Sequence, residues 1–98
     1  MFKKAYHISH SKNRESILKN GLIPKEKTEG IIQYPPCIFF SINKKDLGYD
    51  YVNYENVDCW EFEVDLNQIK KDTFSKSINH FFIEKPIIPS KLRLIKSI

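Results

Sequence analysis

The stretch Tyr6-His7-Ile8-Ser9-His10-Ser11-Lys12-Asn13 gathers imidazoles, hydroxyls, a phenol and a carboxamide in a short run. It leads directly into Ser16-Ile17-Leu18-Lys19-Asn20-Gly21-Leu22. A strand that ends in such polar residues and passes at once into a capped helix brings His, Ser and Asn side chains to the free N–H groups of the helix start. That geometry suits a ribose hydroxyl, a carboxamide or a phosphate oxygen. The same residues also have a plain structural use, with Ser9 and Ser11 as caps and His7 and His10 as partly buried fillers. Further along, His80 and Glu84 stand four positions apart, an even offset, so a strand there sets them on one face, from which either can point into a cleft.

The rest of the composition narrows the chemistry. Ninety-eight residues make one domain, residues 1–98, and a chain this short buries only about 60–65% of its unfolded surface. Seven Phe, five Tyr and one Trp supply the large contacts that such a core needs. The formal charge of +4 comes from scattered lysines with only Arg14 and Arg93 beside them, which gives a mild positive field and not the bidentate grip that guanidinium groups provide. Cys37 and Cys59 stand 22 residues apart with no Cys-x-x-Cys or Cys/His metal spacing, so they read as buried thiols and no metal is expected. The start, Met-Phe-Lys-Lys, lacks a signal-peptide apolar stretch and no run approaches membrane-spanning length. A cytoplasmic location with no membrane partner is the expectation.

The elements that must position these residues follow from pattern. Phe2–Ile8 reads as a strand, and Ser11 caps a helix that runs to about Asn20. Gly21 supplies its left-handed stop. Residues 25–33 are polar, charged and contain Gly30, which predicts a mobile loop. Pro35-Pro36 forces extended backbone into the apolar run Cys37-Ile38-Phe39-Phe40, a buried strand that ends at Ser41. Residues 44–53 suit a short helix weakened by Gly48. Residues 58–65 alternate cleanly, with Trp60, Phe62 and Val64 on one face and Cys59, Glu61 and Glu63 on the other. A helical turn at 66–69, a polar connection at 70–77, strands at 79–84 and 92–95 and a turn at Pro89 complete the chain. One helix beside several strands predicts an α+β fold with a small mixed or antiparallel sheet.

The opening resembles that of ADP-ribosyltransferase-fold proteins, in which a strand carrying Tyr-His and a small hydroxyl residue leads to Ile-Leu-x-x-Gly-Leu, as at Tyr6-His7 and Ile17-Leu18-Lys19-Asn20-Gly21-Leu22. It is most similar to the DNA-modifying toxins of the DarT kind, whose His-Thr-His and following Asn match His7, Ser9, His10 and Asn13. Phe39-Phe40-Ser41 matches the family's aromatic-aromatic-Ser strand, and Ile88-Pro89-Ser90-Lys91-Leu92 fits its closing Ile-Pro-x-x-Leu turn. The matches run in order from Tyr6 to Leu92.

The resemblance implies an ADP-ribosyltransferase-like core with NAD as substrate, bound between the first strand, the following helix and the Ser41 strand. In that picture His7 or Ser9 touches a ribose or the nicotinamide amide, Asn13 and Ser41 support the nucleotide, and Tyr34 or Tyr6 stacks on a ring. The acceptor is a nucleic acid or a protein, and the biological role that of a toxin or a counter-defence factor. The family's catalytic Glu has no clear counterpart. Its expected position falls near His80, with Glu84 close by and Glu63 as another acid, and no Arg stands where subfamilies hold a phosphate. The chain therefore also suits an inactive module of that fold that binds an NAD-derived nucleotide or a partner protein. His7-Ile8-Ser9 has, in addition, the His-x-Ser form of two-histidine phosphoesterases, although His80-Phe81-Phe82 lacks the hydroxyl.

Overall fold

Strict alternation is strongest near the middle of the chain, and the sheet is organised around it. The computed structural model describes residues 1–29, 32–47, 56–73 and 75–95, with the backbone alone for 26–29 and 32–34. β1 (Phe2–His10) runs into a 3-10 turn and the short helix α1 (Arg14–Asn20), followed by β2 (Lys25–Glu29) and β3 (Ile32–Ser41). After a second 3-10 turn at Lys44–Asp46 come β4 (Val57–Asp65), β5 (Lys70–Lys71), β6 (His80–Ile83) and β7 (Arg93–Ile95). The fold is α+β, with every strand pair antiparallel. Six strands lie in the order β5-β6-β3-β1-β4-β7, and β2 pairs with the outer part of β3.

β1 and β4 pair without interruption from Phe2↔Asp65 to His10↔Val57. This register sets Ala5 opposite Phe62, His7 opposite Trp60 and Ser9 opposite Asp58, all on the face that α1 covers. Ala5, Ile38, Phe40, Trp60, Phe62, Val64 and Ile83 form the core there, with Ile17 of α1 and with Leu22 and Ile87 closing it. Phe40 meets the Phe62 ring edge-on at 5.7 Å, the arrangement that aromatic quadrupoles favour.

The helix stops where Gly21 takes φ +79°, and its N–H returns to the Ile17 carbonyl at 2.8 Å. A Cβ at Gly21 would run into the carbonyl of Ile87, so glycine is needed there for space as well as for backbone angle. Leu22 and Ile87 then exchange both backbone hydrogen bonds at 2.9 Å, which pins the end of α1 to the segment entering β7.

The structure differs from the sequence-based expectation in several places. The stretch expected as a mobile loop at 25–33 holds β2 and the start of β3. Lys-Glu-Lys-Thr-Glu has no apolar face, so its pairing rests on backbone bonds that side-chain pattern does not report. The β2–β3 register shifts between Lys25 and Lys27, opposite Pro35-Pro36, whose missing N–H groups cannot serve the ladder. Ser11 does not cap the helix. The His10 imidazole accepts from the Lys12 N–H at 3.3 Å, and α1 begins only at Arg14. Residues 66–69 form a turn closed by Asp65, not a helical one. Lys70–Lys71, expected as connection, pairs with β6. At 44–53 a 3-10 turn occupies Lys44–Asp46, and the remainder of that expected helix lies outside the described residues. Among the described residues no helix is long and apolar enough to cross a membrane.

Candidate functional site

β1 and β3 are neighbours in the sheet, yet they pair only at Tyr6↔Ser41. Beyond that point they splay, and the His7 ring bridges the opening. Its Nδ1 lies 2.6 Å from the Phe39 carbonyl oxygen. A carbonyl only accepts, so Nδ1 carries the hydrogen and Nε2 is left as the lone-pair nitrogen. Burial holds the imidazole below its ordinary value. The Phe39 carbonyl opposes that shift and the nearby Lys25 ammonium adds to it.

His7 and Phe39 wall two hollows, one on each side of the splay. The first, about 420 Å³, is within the range of ligand pockets. It lies on the helix side between β1, α1 and β3, and its polar lining is His7, Ser9, Asn13, Ser16 and Lys25. Ile17, Leu22, Ile23 and Ile38 supply its apolar wall. The Ser9 hydroxyl accepts from the fully buried Trp60 indole at 2.9 Å, which fixes its orientation and leaves its own hydrogen to donate. Asn13, at the start of α1, makes no side-chain cap bond. Lys25 stands exposed in the lining, the one charged group there among the described residues besides what His7 can carry.

The second hollow, about 270 Å³, opens on the other face and is lined by Tyr6, Ser41, Leu47, Asp72, His80 and Phe81 among others. Its polar groups are already paired. The buried Ser41 hydroxyl donates to the Asn43 carbonyl at 2.8 Å and accepts its N–H at 3.1 Å, which closes the turn after β3. His80 donates from Nε2 to the Asp46 carbonyl at 2.8 Å, while Nδ1 meets the Ser75 hydroxyl at 2.6 Å. Lys71 donates to the carbonyls of Asp72, Ser77 and His80 at 2.7–3.2 Å. The Asp46 carboxylate receives the Ser77 hydroxyl and the Asn79 amide, which lower its pKa, with His80 adding a smaller effect. Burial raises the Tyr6 phenol, and the Glu61 carboxylate that accepts its hydrogen raises it further.

No protein-family model, curated protein or solved structure matches this chain.

The residues singled out in the sequence therefore divide. His7, Ser9 and Asn13 come together on the first hollow. Ser41 and His80 lie on the second, with His7 shared between the two. Glu84 lines neither, and ion-pairs with Lys70 at 2.6 Å on the surface. Glu63 lines a third, separate hollow with Phe2, Lys4, Glu61, Lys91 and Arg93. The side chain of Tyr34 lies outside the described residues, although its backbone pairs with Lys27. Arg14 clamps the buried Asp58 with two bonds of 2.9 and 2.7 Å, and Arg93 faces Glu61 at 3.8 Å.

Pattern reasoning missed Lys25, because its segment reads as loop. It also missed the Arg14–Asp58 clamp, for which a signal existed. Asp58 shares the phase of Trp60, Phe62 and Val64, and an acid on a buried face requires a cation.

Chemically, the first hollow offers an acceptor nitrogen, an oriented hydroxyl donor, a carboxamide and a cation beside an apolar wall. That set suits a sugar bearing hydroxyls and a phosphate. The second offers few groups free to act on anything that enters it.

Proposed function

We propose that this chain is an ADP-ribosyltransferase-like module that binds an NAD-derived nucleotide in the hollow between β1, α1 and β3. The observation that carries the reading is the convergence of His7, Ser9, Asn13 and Lys25 on one ligand-sized hollow. The apolar wall of Ile17, Leu22, Ile23 and Ile38 gives a base or nicotinamide ring a surface to lie on.

Binding without transfer is favoured because the groups named for the chemical step are committed elsewhere. His80 holds two turns together, and Glu84 is tied to Lys70. An oxocarbenium-like transition state needs an anion against it, and among the described residues the charged side chain that lines this hollow is a lysine. The retention of His7, Ser9 and Asn13 in a single lining is what favours the second reading, an active NAD-consuming ADP-ribosyltransferase acting on a nucleic acid or protein acceptor.

Thermal denaturation with NAD, ADP-ribose and adenosine, run beside a measurement of nicotinamide release, tests both. A ligand at a hundredfold excess over its Kd adds about 2.7 kcal/mol of stability. Stabilisation by ADP-ribose with no nicotinamide released is the expected result. Release of nicotinamide would return the transferase reading, and no stabilisation by any of the three would sink the nucleotide reading.

A further inference from the structure

His7 and Lys25 come from different strands to one hollow, and each keeps a polar group with no partner among the described residues. The Phe39 carbonyl fixes Nδ1 of His7, so Nε2 is the nitrogen that remains. Lys25 has no carboxylate partner among the described residues. Asp58, opposite Ser9 on β4, is held by Arg14 of α1.

We propose that His7 and Lys25 form a phosphate clamp, and that a phosphate-bearing ligand enters it with uptake of one proton on Nε2 of His7. The proposal rests on the nucleotide reading above for the identity of its ligand, and it leaves Ser9 and Asn13 to the sugar. The step balances simply: a solvent proton adds to the Nε2 lone pair, no covalent bond to the ligand forms, and the imidazolium N–H donates to a phosphate oxygen.

The neighbours of His7 make this coupling directional. From β2 the Lys25 ammonium opposes a second positive charge. From β3 there are the Cys37 thiol and the Phe39 carbonyl. From β4 and α1 there is the Arg14–Asp58 pair, already balanced. Across the sheet stand Tyr6, bonded to Glu61, and Asp72 and His80, which sit within the network around Lys71 and Asp46. In the free hollow burial and the Lys25 charge favour the neutral imidazole. A phosphate group cancels the Lys25 charge and adds its own negative charge, and both changes favour the imidazolium. By linkage, whatever raises proton affinity on binding also tightens binding as pH falls.

The test uses the full chain, with the His7 resonance identified in NMR spectra by its absence from His7→Gln. ADP-ribose and inorganic sulfate, which stays a dianion throughout, are the probes. Each is expected to move the His7 titration to higher pH. ADP-ribose affinity is expected to fall as pH rises from about 5 to about 8, the range in which histidine changes charge. Adenosine, without a phosphate, is expected to show no such dependence. Lys25→Gln is expected to weaken ADP-ribose binding by about tenfold or more, the scale of one charge-assisted hydrogen bond.

ADP-ribose that binds while His7 titrates unchanged, or binds Lys25→Gln as tightly as the parent, overturns the clamp and keeps the nucleotide reading. Sulfate that moves His7 while ADP-ribose does not bind keeps the clamp and overturns the nucleotide reading. A His7 titration indifferent to both probes overturns the clamp.

Discussion

On one side of the sheet, His7, Ser9, Asn13 and Lys25 line a hollow, and Nε2 of His7, the hydroxyl hydrogen of Ser9, the Asn13 amide and the Lys25 ammonium have no protein partner among the described residues. On the other side, His80, Ser41, Asp46 and Lys71 have the same kinds of group, and nearly every one is bonded. Residue type does not distinguish the two sides. What distinguishes them is the bond inventory, because a polar group already satisfied by protein gains little from a ligand. The first side leaves polar groups unbonded among the described residues, and the second holds the turns at 44–46 and 75–79 against β6.

The sharpest way to break the contrast is through the backbone that shapes the first hollow. Gly21 lines it with positive φ, and a Cβ there meets the Ile87 carbonyl. Gly21→Ala is expected to cost about 3–4 kcal/mol, combining left-handed strain with overpacking. A lower urea midpoint at unchanged m-value records it. A near-neutral effect would mean that the Leu22–Ile87 pairing gives way easily, and that the hollow has no fixed wall.

Next in size is the bonded side. His80→Ala removes two hydrogen bonds and strands the Ser75 hydroxyl and the Asp46 carbonyl, at an expected cost of about 2 kcal/mol. Ligand stabilisation at the first hollow is expected to be unchanged in this variant. Lost binding with unchanged stability would reverse the assignment of the two sides.

These two residues also show how far the sequence was legible. The stop at Gly21 was readable because a glycine after a helical apolar pattern has few other physical uses, and Trp60, Phe62 and Val64 were readable because alternation reports burial directly. The partners of His80 were not readable, since they come from Asp46 and Ser75, brought together only by the pairing of β3 with β6. Lys25 was invisible for a related reason. Its strand is held by backbone pairing, and a charged run without an apolar face gives no sign that one of its lysines turns toward a cleft. His7, Ser9 and Asn13 were legible as a group because they are close in sequence, so that one strand and one turn suffice to bring them together.

Acid separates the two sides more gently. Burial lowers the folded value of His7 below its ordinary value of about 6.5. The unfolded chain therefore takes a proton first, so the stability tied to neutral His7 is complete above about pH 6.5 and is lost as pH falls through the folded value. Asp46 is lowered by the Ser77 hydroxyl and the Asn79 amide. Its contribution is complete above about pH 3.9 and is lost as pH falls through its own folded value. Urea midpoints measured against pH are expected to decline in two stages, His7→Gln removing the upper and Asp46→Asn the lower. A single stage untouched by His7→Gln would show that the imidazole is not held neutral by its surroundings.

The smallest expected effect belongs to Glu84, the acid nearest the position that an ADP-ribosyltransferase would require. Its pair with Lys70 joins side chains that are 40% and 62% exposed, and ion pairs in water contribute little because the Coulomb gain is offset by side-chain entropy and screened by salt. Glu84→Gln is expected to change stability by less than about 0.5 kcal/mol and to leave ADP-ribose stabilisation as it was. A carboxylate that stabilises a cationic sugar must lie against the hollow that holds the sugar, whereas this one lines neither hollow beside His7. Nicotinamide release by the parent that Glu84→Gln abolished without loss of binding would require Glu84 to leave Lys70 and reach the hollow on binding, and the contrast between an unbonded side and a bonded side would then describe only the unliganded state.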